Sequence, residues 1–514
     1  MKRVFWYFLA LLLVMGAGNQ FVFAANQPST LVIAAPADVR ILDPAVNFDN
    51  ASWRQTYVGY DRLVQYDGSS TRLKPMLAES WEVSKDAKVY TFKLRKDARF
   101  HDGTVVDAKA VKFSFDRLKK IGKGPSEAFA PLKEVQVVDQ FTVRFILDYP
   151  FGPFLSTLAT NGASIVNPRV MEFEKDGDLG QAYLADRMMG SGPYKIKEWV
   201  RDQRLVLEAN NDYWGGRPRI QQVIIRIVPE SSAQRMMLLK GEVDIAEGIL
   251  IDQYAKLRNE PNVTVFEAPS QLTNIVYMNN KRPPLNNPKV RQALSYAVDY
   301  QGIIKHVLQG NATQMRGPIP RGMWGYDENL LQYKYDPAKA RRLLAEAGYP
   351  NGFKLKIMYA DRVPTWEQEV LALQASFAEI GVKLEPELYA WPTLREKVDR
   401  ADFDLSMGIW SPDYADPYMF MHYWFHSSNQ GLSGNRAFYK NEKVDALLEQ
   451  AAMSPSQQER IRLYQQAQRM IIEEPPYIFL YQRNFLLPMS KRVKGFVFNP
   501  MLENIYNLQN MSLE

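Results

Sequence analysis

Two hydrophobic periods alternate along the chain. Tyr90, Phe92 and Leu94 are separated by polar residues, and Val143, Phe145 and Leu147 repeat the spacing beyond a turn at Asp139-Gln140. A period of two predicts half-buried strands. Residues 31–35 are an unbroken apolar run and predict a buried strand, and residues 223–228 are a largely β-branched run, ended by Pro229, that predicts another strand. Asn287-Pro288 predicts a helix start, with Val290, Leu294, Ala297 and Val298 on one face. Asp336-Pro337 opens a second helix, with Ala340, Leu343, Leu344 and Ala347 inward and Gly348 as its stop. A third is expected over 366–380, ending at Gly381. Phe403, Leu405, Met407 and Ile409 alternate again in a strand that leads into Trp410.

Strands and helices interleave with no repeat and no low-complexity linker, so the expected class is α/β with mixed sheets. At roughly 150 residues per domain, 514 residues make about three domains or one large two-lobed unit. A cleft between lobes is the default place for a ligand.

Composition narrows the function. Hydrophobic residues are 46% and charged residues 23%, a globular balance. The absence of cysteine excludes disulfides, thiolate metal sites, a cysteine nucleophile and a lipidated N-terminal cysteine. The net charge of +6 is small and dispersed, which argues for solubility and against nucleic acid as a partner. Lys2 and Arg3 precede an apolar run at 4–15, then Gly16-Ala17-Gly18 and Val22-Phe23-Ala24. That order reads as a secretory signal over 1–24, cut after Ala24 or Ala25. The run is shorter than the roughly 20 residues of a membrane span. An exported protein without a lipidation cysteine is expected free in a Gram-negative periplasm.

Enzyme chemistry is hard to find. No His-Glu-x-x-His, Gly-x-Ser-x-Gly or phosphate-loop motif occurs, and no motif calls for a cofactor. Gly190-Ser191-Gly192-Pro193-Tyr194 runs into a strand-like stretch and reads as a turn or hinge, not an anion cradle. His422 and His426 are spaced to share a helical face, where they either hold a metal or pack among apolar neighbours. Asp413 and Asp416 follow Trp410 in Trp410-Ser-Pro-Asp413-Tyr-Ala-Asp416-Pro417. A strand ending there delivers two acids and two aromatic rings to a sheet edge. Such an edge suits a cationic amine held in a partly dry site. The same residues also suit a solvated, aspartate-capped turn. A hydrolase using Asp413 and Asp416 as an acid–base pair is a third reading, but the sequence offers it no nucleophile, oxyanion donor or metal.

Residues 77–95, Phe100-His-Asp-Gly-Thr104 and residues 107–116 resemble the family 5 extracellular solute-binding proteins of ABC importers. Gly190-Ser-Gly-Pro-Tyr194, Asp212-Tyr-Trp-Gly215, residues 290–298, Trp324-Gly-Tyr326 and Tyr335-Asp-Pro-Ala-Lys-Ala340 extend the likeness over nearly the whole mature chain. The resemblance implies a two-lobed periplasmic binding fold with a hinged cleft. Domain I would comprise 29–68, 187–275 and 488–514. A small inserted domain II would cover 69–186, and domain III, the second lobe, 276–487. The hinge crossings would lie near 270–276 and 484–490.

It further implies a non-catalytic protein that closes on a short peptide or related amine-bearing solute and docks on permease and ATPase subunits as a monomer. By its match to the family's aspartate loop, Asp413 would hold the ligand ammonium, with Trp410 and Tyr414 beside it. Arg362 would hold the carboxylate, unless it only pairs with Asp361. The alternatives within the family are a nickel chelate, with His422 or His426 as a ligand, and a glutathione or opine-type conjugate. Tyr414-Ala415 departs from the small polar residues usual in that loop.

Overall fold

A computed structural model describes residues 29–514, so the expected signal at 1–24 lies outside the described residues. The backbone of the molecule is one mixed sheet of eleven strands. At its centre two long strands, Val263–Met278 and Tyr477–Ser490, run antiparallel beside each other. On one side lie Ile245–Ala246, Thr30–Ala35, Gln222–Ile227, Arg204–Ala209 and Tyr194–Val200. On the other lie Leu405–Trp410, Lys354–Ala360 and Lys383–Tyr389, with Ala312–Gln314 alongside Tyr477–Ser490. Thr30–Ala35 and Gln222–Ile227 carry these two runs and pair in parallel, with Leu31, Ile33, Val223 and Ile225 buried and Arg226 exposed.

A second sheet is separate and antiparallel, in the order Ala78–Val83, Val89–Leu94, Thr142–Leu147, Leu132–Asp139. Its register sets Tyr90 opposite Phe145 and Phe92 opposite Val143. The alternating residues therefore face one way, and the helix Ala108–Ile121 covers them with Phe115 edge-on to Phe145 at 4.8 Å. Asp107 caps that helix by accepting from the Ala110 amide, and Gly122 ends it in the left-handed region.

The apolar residues divide as the sheets do. One cluster gathers residues 31–58 and 194–245 with 485–511, and a second belongs mainly to residues 45–165. The largest runs from Ile275 to Tyr481. The molecule thus has two lobes that share one sheet. The three expected helices sit in the large cluster. Pro288–Ala297 is capped by Asn287, Pro337–Glu346 by Asp336, and Trp366–Ala378 stops short of Gly381. Val290, Leu294, Ala297 and Val298 are all fully buried.

The glycine-rich turn before Tyr194 has a packing reason. The Gly192 amide donates to the Gly59 carbonyl at 3.0 Å, and the Gly190 carbonyl accepts from the His101 amide at 2.8 Å. A Cβ on Gly190 would stand 2.0 Å from the Gly59 oxygen, and one on Gly192 2.4 Å from the Val58 oxygen. Glycine is required because two backbones cross there.

Candidate ligand cleft

Parallel strands that end together leave an open edge at their carboxyl ends, which is where α/β sheets place ligands. Lys354–Ala360 and Leu405–Trp410 run parallel, and their following residues carry Arg362 and Asp413 to the same edge. Across from them, residues 37–40 follow Thr30–Ala35 in the other lobe. Between the two walls lies a cavity of about 890 Å³. Arg362, Trp410 and Asp413 all line it.

Asp413 is half-buried at its inner end. Its carboxylate has no hydrogen-bond or ion-pair partner among the described residues. Burial pushes its pKa up to about 7, and the nearby Glu127 carboxylate adds to the rise. Tyr57, Tyr66, Tyr414 and Tyr423 surround it and supply no cation. Asp413 also borders an adjoining recess of about 240 Å³ lined by Phe48, Trp53, Tyr149, Phe151, Tyr418 and Tyr423. Tyr414 contributes to that recess but is itself buried, so it forms wall more than contact surface.

Trp410 ends its strand with its ring stacked on Tyr423 at 4.9 Å. Its indole Nε1 is buried without an acceptor. The loop beyond it is held from both lobes. The Ala415 amide donates to the Tyr66 hydroxyl at 3.2 Å, and the Ala415 carbonyl accepts from Trp324 Nε1 at 3.2 Å.

Asp416 has a different place. It caps a short turn at Tyr418 and takes two bonds from Arg460, at 2.8 and 2.6 Å, with both side chains buried. A carboxylate clamped this way is not free for proton transfer, which removes the acid–base pair of Asp413 and Asp416. The loop is therefore both an aspartate-capped turn and a presenter of a free acid, with one residue for each task.

Arg362 is exposed, its guanidinium 4.8 Å from the Trp391 ring centre, and it makes no ion pair with Asp361. His422 and His426 do share a face, in and just after the turn His422–Phe425. Their rings stack in parallel at 4.4 Å, so their in-plane lone pairs do not converge. His426 contacts Ser428 at 2.7 Å and Glu449 at 3.1 Å, while burial and the adjacent His426 lower His422 to about 3. Both histidines lie outside the cleft lining.

The sequence reading missed Arg436. It lines the cleft and donates from Nη1 to the Tyr277 hydroxyl at 3.0 Å, with its guanidinium 5.4 Å from the Trp410 ring. Asn435 fixes its loop, exchanging bonds with Tyr439 at 2.8 and 3.0 Å. Gly408 leaves room for Tyr277, since a Cβ there would stand 2.5 Å from the ring. No period or motif marks Arg436; the nearest signal was Gly434-Asn435, a turn pair without chemistry of its own.

Two lobes joined through one sheet, with an uncommitted acid and aromatic rings facing the gap, define a protein that encloses a small solute. The sequence profile of the bacterial extracellular solute-binding proteins, family 5, matches residues 72–432, and the chain belongs to that family. It is 45% identical over 506 residues, 98% of each chain, to the probable D,D-dipeptide-binding periplasmic protein DdpA of Escherichia coli K12. Among solved structures it is similar to the periplasmic binding protein DppA of Helicobacter pylori in complex with the peptide STSA, with a TM-score of 0.80 and 32% identity, covering 94% of this chain and 98% of that one. A dipeptide-binding protein of Pseudoalteromonas sp. SM9913 in complex with Met-Leu gives a TM-score of 0.81 at 26% identity, covering 94% and 100%.

Proposed function

We propose that this chain captures short peptides, or a closely related amine-bearing solute, between its lobes in the periplasm and hands them to an ABC permease driven by ATPase subunits. The observation that carries the reading is Asp413, a shielded carboxylate with no partner at the end of a cleft of ligand size. A peptide ammonium supplies the missing charge. Trp410 Nε1, a donor without an acceptor, suits a peptide carbonyl. The peptide complexes among the relatives support the same class of ligand. The chain acts as a monomeric carrier and performs no reaction.

Closure follows from the long strand pair. Pairing is regular from Val263 to Pro269, is interrupted, and resumes at Thr273 opposite Gln482. The same stretch is where Phe266 and Ala268 leave one core and Ile275 enters the other. We place the hinge there, near 270–276, and on the partner strand near 484–490, and divide the chain into domain I (29–68, 187–275, 488–514), domain II (69–186) and domain III (276–487). Ligand contact with both lobes then shifts the open–closed equilibrium.

The test is calorimetric titration at pH 8 with di- and tripeptides of both L,L and D,D series, followed by mass analysis of the peptide. Saturable binding with the peptide returned intact is expected. No binding in either series, together with a non-peptide mass released from protein purified from its own periplasm, overturns the reading.

A further inference from the structure

The cleft carries more positive charge than a simple zwitterion needs. Arg40, Arg362, Arg395 and Arg436 line it, and none is in an ion pair among the described residues. Against them stand Asp38, Asp49 and Asp413. Asp38 is engaged by Trp199 Nε1 and the Asp202 amide, and Asp49 by Ser52 as a helix cap. The wall is therefore cationic by one charge, and only Asp413 among its acids is uncommitted. A ligand with one ammonium and one carboxylate leaves that excess in place.

Position separates the arginines. Arg40, Arg362 and Arg395 are exposed, and water solvates them whether or not a ligand is present. Arg436 is not so placed. Packed between Tyr277 and Trp410, it has a buried Nε with no acceptor, and its single side-chain hydrogen bond goes to a neutral phenol. A shielded guanidinium without an anion is costly, and a bound anion relieves the cost. Its planar fork matches a carboxylate with two parallel bonds.

We infer that Arg436 is a second anion-reading residue of the cleft, and that the preferred solute is an amine bearing two carboxylates, as in a short peptide with one acidic side chain. This rests on the peptide reading above. In this scheme Asp413 takes the ammonium, Arg362 the terminal carboxylate, and Arg436 the additional one beside Trp410. The three anchors lie in the second lobe, which would load the ligand before closure brings Arg40 over it.

The experiment compares charged and neutral isosteres of equal size. Ala-Glu against Ala-Gln, and Glu-Ala against Gln-Ala, are titrated into the intact protein in whichever stereochemical series binds Ala-Ala. One order is expected to favour the acidic peptide by at least about tenfold. In R436Q that ratio should fall toward one, and R436K should keep part of it. Melting curves of both variants show that each is folded. Equal affinities for Glu and Gln peptides overturn the inference while leaving peptide capture standing. So does a uniform loss in R436Q with the ratio kept, because Arg436 would then serve the terminal carboxylate. Failure of every peptide, Ala-Ala included, strikes the peptide reading itself.

Discussion

Asp413 sets the pH behaviour. Its native-state value is raised to about 7, chiefly by burial, so between about pH 4 and 7 the folded chain holds a proton that the unfolded chain has lost. This one group therefore makes stability fall as pH rises through that window and level off above it. Ligand binding runs the other way, since an ammonium needs the carboxylate. Affinity for Ala-Ala should rise from pH 5.5 to 8, with a proton released near pH 6 that calorimetry in buffers of different ionisation heat detects. Asp413→Asn removes the dependence and weakens binding by about 2–5 kcal/mol, because the ligand ammonium is left shielded and unpaired. The same variant should melt no lower than the parent at pH 8, where an uncompensated acid is replaced by an amide. A large loss of stability would show that Asp413 holds the loop rather than the ligand.

Among elements, the loop after Leu405–Trp410 shows how neighbouring residues of one type divide. Asp413 and Asp416 are both aspartates beyond a strand end, and nothing in their local sequence says which is free. Arg460, 44 positions on, decides it by reaching Asp416 from the helix Gln457–Glu473. Asp416→Ala strands that buried guanidinium and should cost about 3–5 kcal/mol in urea unfolding. Asp413→Asn should cost far less in the same assay, and equal losses would contradict the division of roles. The turn at Gly190 makes a parallel case. The sequence marks it as a turn, but only the backbone of Val58 and Gly59 explains why side chains are excluded.

For the whole molecule, the eleven-stranded sheet runs through both lobes, and the pairing of its two long strands breaks between Pro269 and Thr273 and shifts register again between Asn274 and Ile275. Closure about that irregular stretch predicts a smaller radius of gyration in solution scattering when a saturating peptide is added. An unchanged radius would put the bound and free forms in one conformation and remove the hinge. Binding only to the folded form also raises apparent stability, by about 2.7 kcal/mol at a hundredfold excess over Kd. A thermal melt reads that shift directly, and D413N at the same peptide concentration should cut it to less than half.

The sequence by itself determined the elements and the family. Period-two alternation at 90–94 and 143–147, capped helix starts at Asn287 and Asp336, the apolar run at 31–35 and the β-branched run at 223–228 are local patterns, and local patterns survive in a linear string. It also brought Trp410 and Asp413 forward, because a strand end followed by an acid is a feature of consecutive residues. What only the tertiary structure decided is pairing over long separations. It joined Asp416 to Arg460, set the His422 and His426 rings in a stack, left Arg362 unpaired with its neighbour, and brought Arg436 between Tyr277 and Trp410. Whether a charged side chain is satisfied depends on which distant groups share its shielded volume, and no spacing along the chain encodes that.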